Sequence, residues 1–508
     1  MLFRRFFCLL LALLLALGCA AAEAEAPRFV LAGLDATQYR RWDQSLFFSR
    51  MEERTGVVIS PVQYTSAEAW TQAKAAMEAG QEGLPDGLFK AALSPAECIA
   101  LREKGVLLDV KPYLEACCPH LWALLQAQPE ALAGITLPDG SIAALPYFPM
   151  LPVQNYLWVN QSWLDALRLD RPTTAQEFVD MLTAFKTRDP NRNGRPDEIP
   201  LGFAGPFDLK FLAHAFGLIA NDYNVFAQDG QARFMPLEEN YRLFVLWCRD
   251  LFQAGLLDPK GFSIVDEQRR VTDEKALPTY GAIFAPLADS VFSVSWADQY
   301  ELLLPLTHEG SQFYRSFTGP ILRGAFAVTS ACKDPEALLR WVDELYSESG
   351  AVLASYGLEN TDYLVDGDGT WRYLDTVTSH YDLFRAESLI DGDGVRPGIA
   401  AVAFQNAISG APQVQKLVEE QEQFGRFVRL PFPYCSLTAA QEALLAPLQA
   451  QIGYLVDTQL ARWVSGEDEL TDESFSAFEA RLKEAGLTDF MHFWQDVLDS
   501  LEEENTNE

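Results

Sequence analysis

The chain has 508 residues, of which 49% are hydrophobic and 12% aromatic. That composition excludes a disordered polymer, and the length exceeds one ordinary core, so two large lobes are the natural division. Its 39 Lys and Arg stand against 71 Asp and Glu, a formal charge of −32, which excludes nucleic acid as a partner because phosphate binding needs clustered cations.

Arg4 and Arg5 precede an apolar run from Phe6 to Leu17, about 12 residues, the length of a signal peptide and short for a membrane span. The run ends in Ala16-Leu17-Gly18-Cys19. Small residues before a Cys resemble a lipobox, although Ala16 stands where Leu is usual. The expectation is a signal peptide over 1–18, a lipid on Cys19 and a tether over 19–27. Ordinary cleavage within Ala20–Ala24 is the alternative. No later stretch reaches the ~18 apolar residues of a transmembrane helix. The other cysteines after Cys19 are Cys98, Cys117, Cys118, Cys248, Cys332 and Cys435. They lack metal-ligand spacing and read mostly as small buried hydrophobes.

Arg28–Ala32 is apolar and strand-like, and Trp42, Leu46, Phe47 and Met51 then recur at helical spacing up to Gly56. Val57-Val58-Ile59 reads as a strand, Ala67–Ala79 as a helix, Gly87–Phe89 as a strand and Glu97–Lys104 as a helix. This alternation predicts a mainly parallel sheet with helices on both faces. Gly140–Ala144 is predicted as a strand. Leu145–Val153 carries Pro146, Pro149 and Pro152, so it is expected to cross between lobes rather than to sit inside a sheet. Tyr156–Val159 opens a second series. Thr173 or Thr174 with Glu177 predicts a helix start. Helices are expected over Tyr241–Ala254, Pro335–Ser347, Leu437–Val464 and Asp472–Glu502, the last broken at Gly486, and a strand over Gly324–Val328. Trp158, Trp163, Trp247 and Trp341 lie on apolar stripes and are assigned to cores. Asp366–Gly369, between Tyr363–Val365 and Trp371–Tyr373, signals a hairpin. Asp391–Gly394 reads as a turn.

Asp189, Asn191 and Asn193 place oxygens at loop positions one, three and five, with Gly194 at six. That is the front half of an EF-hand-type loop, because Ca²⁺ takes hard oxygen ligands and the Gly permits the turn. Asp197 and Glu198 fall at positions nine and ten and no Glu stands at twelve, so the loop departs from an EF-hand. A polar turn between helix and strand is the other reading.

Leu157–Pro200, with its Trp-Leu, its Pro-Thr-Thr helix start and Asp189-Pro190-Asn191-Arg192-Asn193-Gly194, resembles the family 1 extracellular solute-binding proteins, and within them the large lipoproteins that include alginate-binding proteins. Gly255–Pro259, Gly324–Thr329, Asp334–Ala337, Leu345–Gly350 and Trp463–Gly466 follow in the same order. The resemblance implies an α/β fold of the periplasmic-binding-protein-like type II: two lobes joined by crossing strands, with a ligand cleft between. The boundaries expected are 28–148 with 325–395, and 149–324 with 396–508. It further implies a lipid-anchored monomer on the extracellular face of the membrane that passes a carbohydrate, in particular an oligosaccharide, to the permease of an ABC transporter. By motif position it implies a structural Ca²⁺ held by Asp189, Asn191, Asn193, the Arg195 carbonyl, Asp197 and Glu198.

Sugars offer apolar CH faces and many hydroxyls, so their sites pair aromatic rings with planar polar groups. The candidates near the crossings are Tyr147, Asn155, Tyr156, Asp222, Tyr223, Trp296 and Tyr300. Asp35 and Tyr39 follow the first strand, at the end where open α/β sheets bind ligands. No Gly-x-Ser-x-Gly, His-Glu-x-x-His or P-loop is present, and the five His lack metal spacing. No enzyme is expected. A secreted glycosidase or lyase, and a surface scaffold that binds no solute, are the alternatives.

Overall fold

Side-chain caps set many of the helix starts. Ser45, Ser66, Asp334 and Ser347 each accept a backbone N–H of the first turn. Ser94 with Glu97, Thr174 with Glu177 and Thr438 with Gln441 form reciprocal capping boxes. The left-handed Gly56 and Gly466 close the helices Leu46–Thr55 and Ala439–Ser465. The computed structural model describes residues 26–507 apart from 38, 81–82, 153, 264–278, 289–290, 293, 317–318, 392–394 and 410–411. The signal peptide, Cys19 and most of the Asp391–Gly394 turn therefore lie outside the described residues.

The strands in chain order are β1 Arg28–Leu34, β2 Val58–Tyr64, β3 Gly87–Phe89, β4 Leu145–Phe148, β5 Tyr156–Asn160, β6 Ile199–Gly202, β7 Val225–Gln228, β8 Gln231–Phe234, β9 Tyr280–Ala285, β10 Tyr300–Leu302, β11 Tyr314–Arg315, β12 Leu322–Val328, β13 Tyr363–Val365, β14 Trp371–Tyr373, β15 Gly398–Ile399 and β16 Val428–Arg429. A six-stranded sheet runs β15-β4-β12-β3-β1-β2, and a four-stranded sheet runs β10-β5-β9-β6. Each has its own core. Phe47, Phe89, Trp341 and Val342 pack in the first lobe; Trp158, Phe178, Phe185, Phe284 and Trp463 pack in the second.

The first sheet is mainly parallel, as the β/α alternation of its segments predicts, with β12 alone reversed; the second sheet is mixed. In the first, β1 runs parallel to β2 and β3, but β12 is antiparallel to β3 and β4. In the second, only β6 and β9 are parallel. Only βαβ crossovers force parallel neighbours; β12 returns from the other lobe and enters the sheet from its opposite end.

Two local expectations fail. Gly140–Ala144 forms no strand, whereas Leu145–Phe148, placed in the crossing on account of Pro146, is β4 inside the sheet. The proline is tolerated because the β4–β12 register slips there, from Leu322 opposite Tyr147 to Phe326 opposite Leu145. Gly324 allows the bulge: its φ is +72°, and a Cβ would lie 2.0 Å from the Leu93 carbonyl oxygen. The lobe boundaries move too. The whole of β12 and the residues 396–408 go with the first lobe, since β15 pairs with β4 and the ring of Phe404 stacks on Trp371 at 4.5 Å.

The six cysteines are free; Cys435 is half-buried and the rest are buried. Among the described residues no helix is long and apolar enough to cross a membrane.

Candidate functional site

The chain order of the strands links the two lobes three times: between β4 and β5, between β11 and β12, and between β15 and β16, where β11 and β16 pair with each other against the second core. Polar and aromatic side chains collect beside these links in two walls.

The second-lobe wall is built on Asn155 and Arg315. Asn155 Nδ2 donates to Asp208 Oδ1 at 2.7 Å, and the Asn155 carbonyl accepts from the Tyr314 hydroxyl at 3.1 Å. Asp208 Oδ2 accepts the Ala204 N–H at 2.7 Å, which fixes the helix Gly205–Lys210. Its neighbour Phe207 is 40% exposed. The Arg315 guanidinium lies 5.5 Å from the Phe207 ring centre and 4.6 Å from that of Phe211, a desolvated cation–π arrangement. It reaches Asp222 Oδ1 at 3.2 Å, and Gln154 Nε2 donates to its carbonyl at 2.6 Å. Burial pulls Arg315 down to about 10, so it stays charged at neutral pH.

The first-lobe wall is Tyr147, Arg396 and Asp391. Arg396 lies 5.0 Å from the Tyr147 ring centre. It pairs with Asp391 and donates to Ser355 Oγ at 2.9 Å and to the Ile399 carbonyl at 3.0 Å. Burial raises the Tyr147 hydroxyl pKa and keeps it protonated. Gly398 opposite Tyr147 in the sheet brings Arg396 to the ring.

Of the predicted residues, Tyr147, Asn155 and Asp222 thus take part in these walls. Three others do not offer a surface, and a fourth does so only in part. Asp35 is fully buried and binds Arg40 at 3.0 Å and Lys90 at 2.7 Å. Tyr156 is in the second core, its hydroxyl donating to the Pro152 carbonyl. Tyr300 stacks on Phe292 at 4.3 Å and donates to the Tyr280 carbonyl. Tyr223 is half-buried with its ring 4.8 Å from Trp494. In each case neighbours distant in sequence cover the group. Tyr39 is 72% exposed on the loop after β1, at φ 65°. Trp296 lies half-buried on the second core. No described contact joins either to the walls. Phe207, Asp208, Arg315 and Arg396 escaped sequence reading. The one available signal was position: Arg315 and Arg396 stand within a few residues of turns that lead into or out of a crossing.

The loop after the helix Ala175–Thr187 is coiled on its own oxygens. Asp189, at φ 46°, accepts the N–H groups of Asn193 (3.1 Å) and Gly194 (3.0 Å). Asn193 Oδ1 accepts the Arg195 N–H at 2.7 Å, and Asn193 Nδ2 donates to both Asp197 oxygens, at 2.9 and 3.1 Å. Glu198 Oε1 is buried without a hydrogen-bond partner. Burial, then the charges of Asp197 and Asp189, raise its pKa. Converging oxygens and an orphaned buried carboxylate oxygen fit a hard cation. Among the described residues no three His, Cys, Asp or Glu side chains alone are placed to hold one, so amide and carbonyl oxygens must complete the set.

A cavity of about 970 Å³ opens on the first lobe, lined by Arg54, His120, Tyr346, Tyr363 and Phe404 among others. Tyr346 and Tyr363 are 3% and 6% exposed, too little ring to seat a sugar. It is not between the two sheets.

No protein-family model matches the chain. It is 30% identical over 337 residues to the fructooligosaccharide ABC transporter substrate-binding protein FusA of Streptococcus pneumoniae serotype 4, covering 63% of this chain and 61% of FusA. It is 22% identical to Lipoprotein LipO of Bacillus subtilis, covering 52% and 54%. The chain thus spans less than two thirds of either curated relative. Among solved structures, FusA in complex with kestose superposes with a TM-score of 0.66 at 22% identity, covering 94% of this chain and all of that one. An HMO-binding, ABC-transporter-associated solute-binding protein of Bifidobacterium longum infantis gives 0.75 at 22% identity, covering 94% and 99%. The alginate-binding protein AlgQ2, solved without calcium ion, gives 0.63 at 18%, covering 94% and 98%. FusA has also been solved as an EF-hand mutant with fructo-nystose. The type II binding-protein fold is therefore shared, and the resemblance to solute-binding proteins of carbohydrate ABC transporters is found in sequence and in structure.

Proposed function

We propose that this chain is a solute-binding lipoprotein that captures a carbohydrate between its lobes and hands it to an ABC permease. It performs no bond-making, acts as a monomer, and is tethered to the extracellular face of the membrane through Cys19 after removal of 1–18. The observation that carries this reading is the second-lobe wall: a 40% exposed Phe207 beside the planar polar groups of Asn155, Asp208, Asp222 and Arg315. A ring to stack on and planar partners for hydroxyls are what a pyranose or furanose requires. The 30% identity to FusA supports the same class.

The test is a tryptophan-fluorescence titration against a glycan panel, with the sugar recovered afterwards. A saturable change and an intact sugar are expected, and Phe207→Ala should weaken binding at least about tenfold. Recovery of cleaved product would overturn the reading in favour of an enzyme; silence across the panel would leave a scaffold.

The loop 189–198 is proposed to hold Ca²⁺ through Asp189, Asn191, Asn193, the Arg195 carbonyl, Asp197 and Glu198, ordering the link between the helix Ala175–Thr187 and β6. The ion would supply positive charge to Glu198, whose buried oxygen lacks a partner. Calcium at a hundredfold excess over Kd should add about 2.7 kcal/mol of stability, lost on chelation. Glu198→Gln should remove most of that gain while slightly stabilising the metal-free protein, because a buried charge is gone. Calorimetry with and without chelator checks both, and an unchanged calcium response in Glu198→Gln would rule the residue out as a ligand.

A further inference from the structure

Arg315 and Arg396, the cations named in the two walls, are already matched, and so are two lysines beside them. Arg315 holds Asp222 at 3.2 Å, and Arg396 holds Asp391. Lys210, on the helix that carries Phe207, holds Asp457 at 2.8 Å. Lys90, next to the first wall, shares the buried Asp35 with Arg40 at 2.7 and 3.0 Å. Asp208 adds a further carboxylate to the second wall. The acidic partners are also the more accessible ones. The Asp222 and Asp391 side chains are 54% and 41% exposed, against 4% and 3% for Arg315 and Arg396. What the walls present is carboxylate and aromatic face, with the guanidinium groups held behind.

We infer that the ligand is a neutral oligosaccharide and that the site discriminates against acidic ones. This rests on the reading above and narrows it to a substrate class. A uronate, sialylated or phosphorylated sugar needs an uncommitted, forward-facing guanidinium or ammonium group for bidentate capture. Arg315 is pinned on Phe207 and Phe211 and committed to Asp222, so a second anion would arrive against the exposed carboxylate before it met the cation. Sugar hydroxyls, by contrast, donate readily to Asp222 and Asp391, and ionised acceptors make the stronger hydrogen bonds. Specificity here is repulsive as much as attractive.

The experiment is calorimetric titration of the full chain with neutral tri- and tetrasaccharides and with oligogalacturonates and oligomannuronates of the same length, at low and high salt. The neutral sugars should bind at least about tenfold tighter, with affinity changing less than about twofold across the salt range, since no net charge is neutralised on binding. Asp222→Asn and, separately, Asp391→Asn should narrow the preference several-fold by removing a repelling carboxylate, with the thermal midpoint of each variant recorded to confirm that it folds. An oligouronate that binds as tightly as its neutral counterpart overturns this inference and leaves carbohydrate capture standing, as does a steep fall in neutral-sugar affinity with salt. A preference unmoved in both folded variants also overturns it. Binding of neither class overturns the inference together with the reading on which it rests.

Discussion

Asp35→Ala is expected to destabilise the protein by about 3–5 kcal/mol, the usual result of breaking a buried ion pair from one side. Asp35, Arg40 and Lys90 have no exposed side-chain surface. The carboxylate also accepts from Trp42 Nε1 at 3.2 Å and the Thr37 N–H at 3.0 Å. Burial acts to raise its pKa, but Lys90, Thr37 and Arg40 together outweigh burial and hold it below its ordinary value of 3.8. Burial pulls Lys90 down to about 8, so the cluster is ionised at neutral pH. Its contribution is present above the ordinary carboxylate pKa and is lost as pH falls through the depressed one. With Asp35 gone, Lys90 and Arg40 stay buried and unmatched. The damage should spread, because Lys90 donates to the Ile390 carbonyl at 3.1 Å and Arg40 to the Arg385 carbonyl at 2.9 Å. Those bonds hold the segment that delivers Asp391 to the first wall. Urea unfolding gives the measurement, and the Asp35→Leu, Lys90→Met double variant should recover part of the loss. A loss under about 1 kcal/mol would mean that water reaches the cations.

Between pH 6.5 and 4 the protein should lose about 3 kcal/mol of stability through His214 alone. The ring is buried in the second lobe. Its Nδ1 lies 2.6 Å from the Phe211 carbonyl oxygen and its Nε2 accepts the Leu306 N–H at 2.9 Å. The hydrogen is therefore on Nδ1, and a second proton would have to point at an N–H donor. Burial lowers the pKa to about 4 against the weaker opposing effect of the Phe211 bond. The sign follows from proton counting. Below its ordinary pKa of 6.5 the unfolded chain takes up the proton and the folded one does not, so stability falls with pH until about 4, where both are protonated. In His214→Gln the urea midpoint at neutral pH should drop, and the slope of stability against pH should lose about one proton in that window. A variant with the wild-type slope would place the acid sensitivity elsewhere.

Local signals were legible because their physics is local. The Thr174–Glu177 capping box, the Tyr363–Tyr373 hairpin and the break near Gly486 each depend on bonds within a few residues. The coiled loop 189–198 is readable for the same reason: its donors and acceptors are its own. Chain order also pointed to the two-lobed fold, since the resemblance rested on several motifs kept in one order and not on any one of them.

Tertiary structure decided which polar and aromatic groups stay accessible beside the crossings and which are buried. In β5 all five residues are buried, so the alternation that would separate core from surface is absent, and Tyr156 could not be assigned by pattern. Asp35 became structural because Lys90, 55 residues further on, folds against it. Arg315 and Arg396 became wall residues because the chain passes three times between the lobes and leaves each of them beside a ring it does not neighbour in sequence. Pro146 entered a sheet because β12 bulges opposite it. The sequence by itself determined the element types, the paired lobes and the oxygen-rich loop, all governed by short-range bonding and apolar period. What the two walls present was left to contacts between residues tens to hundreds of positions apart, where burial and charge pairing are set by what arrives from the rest of the chain.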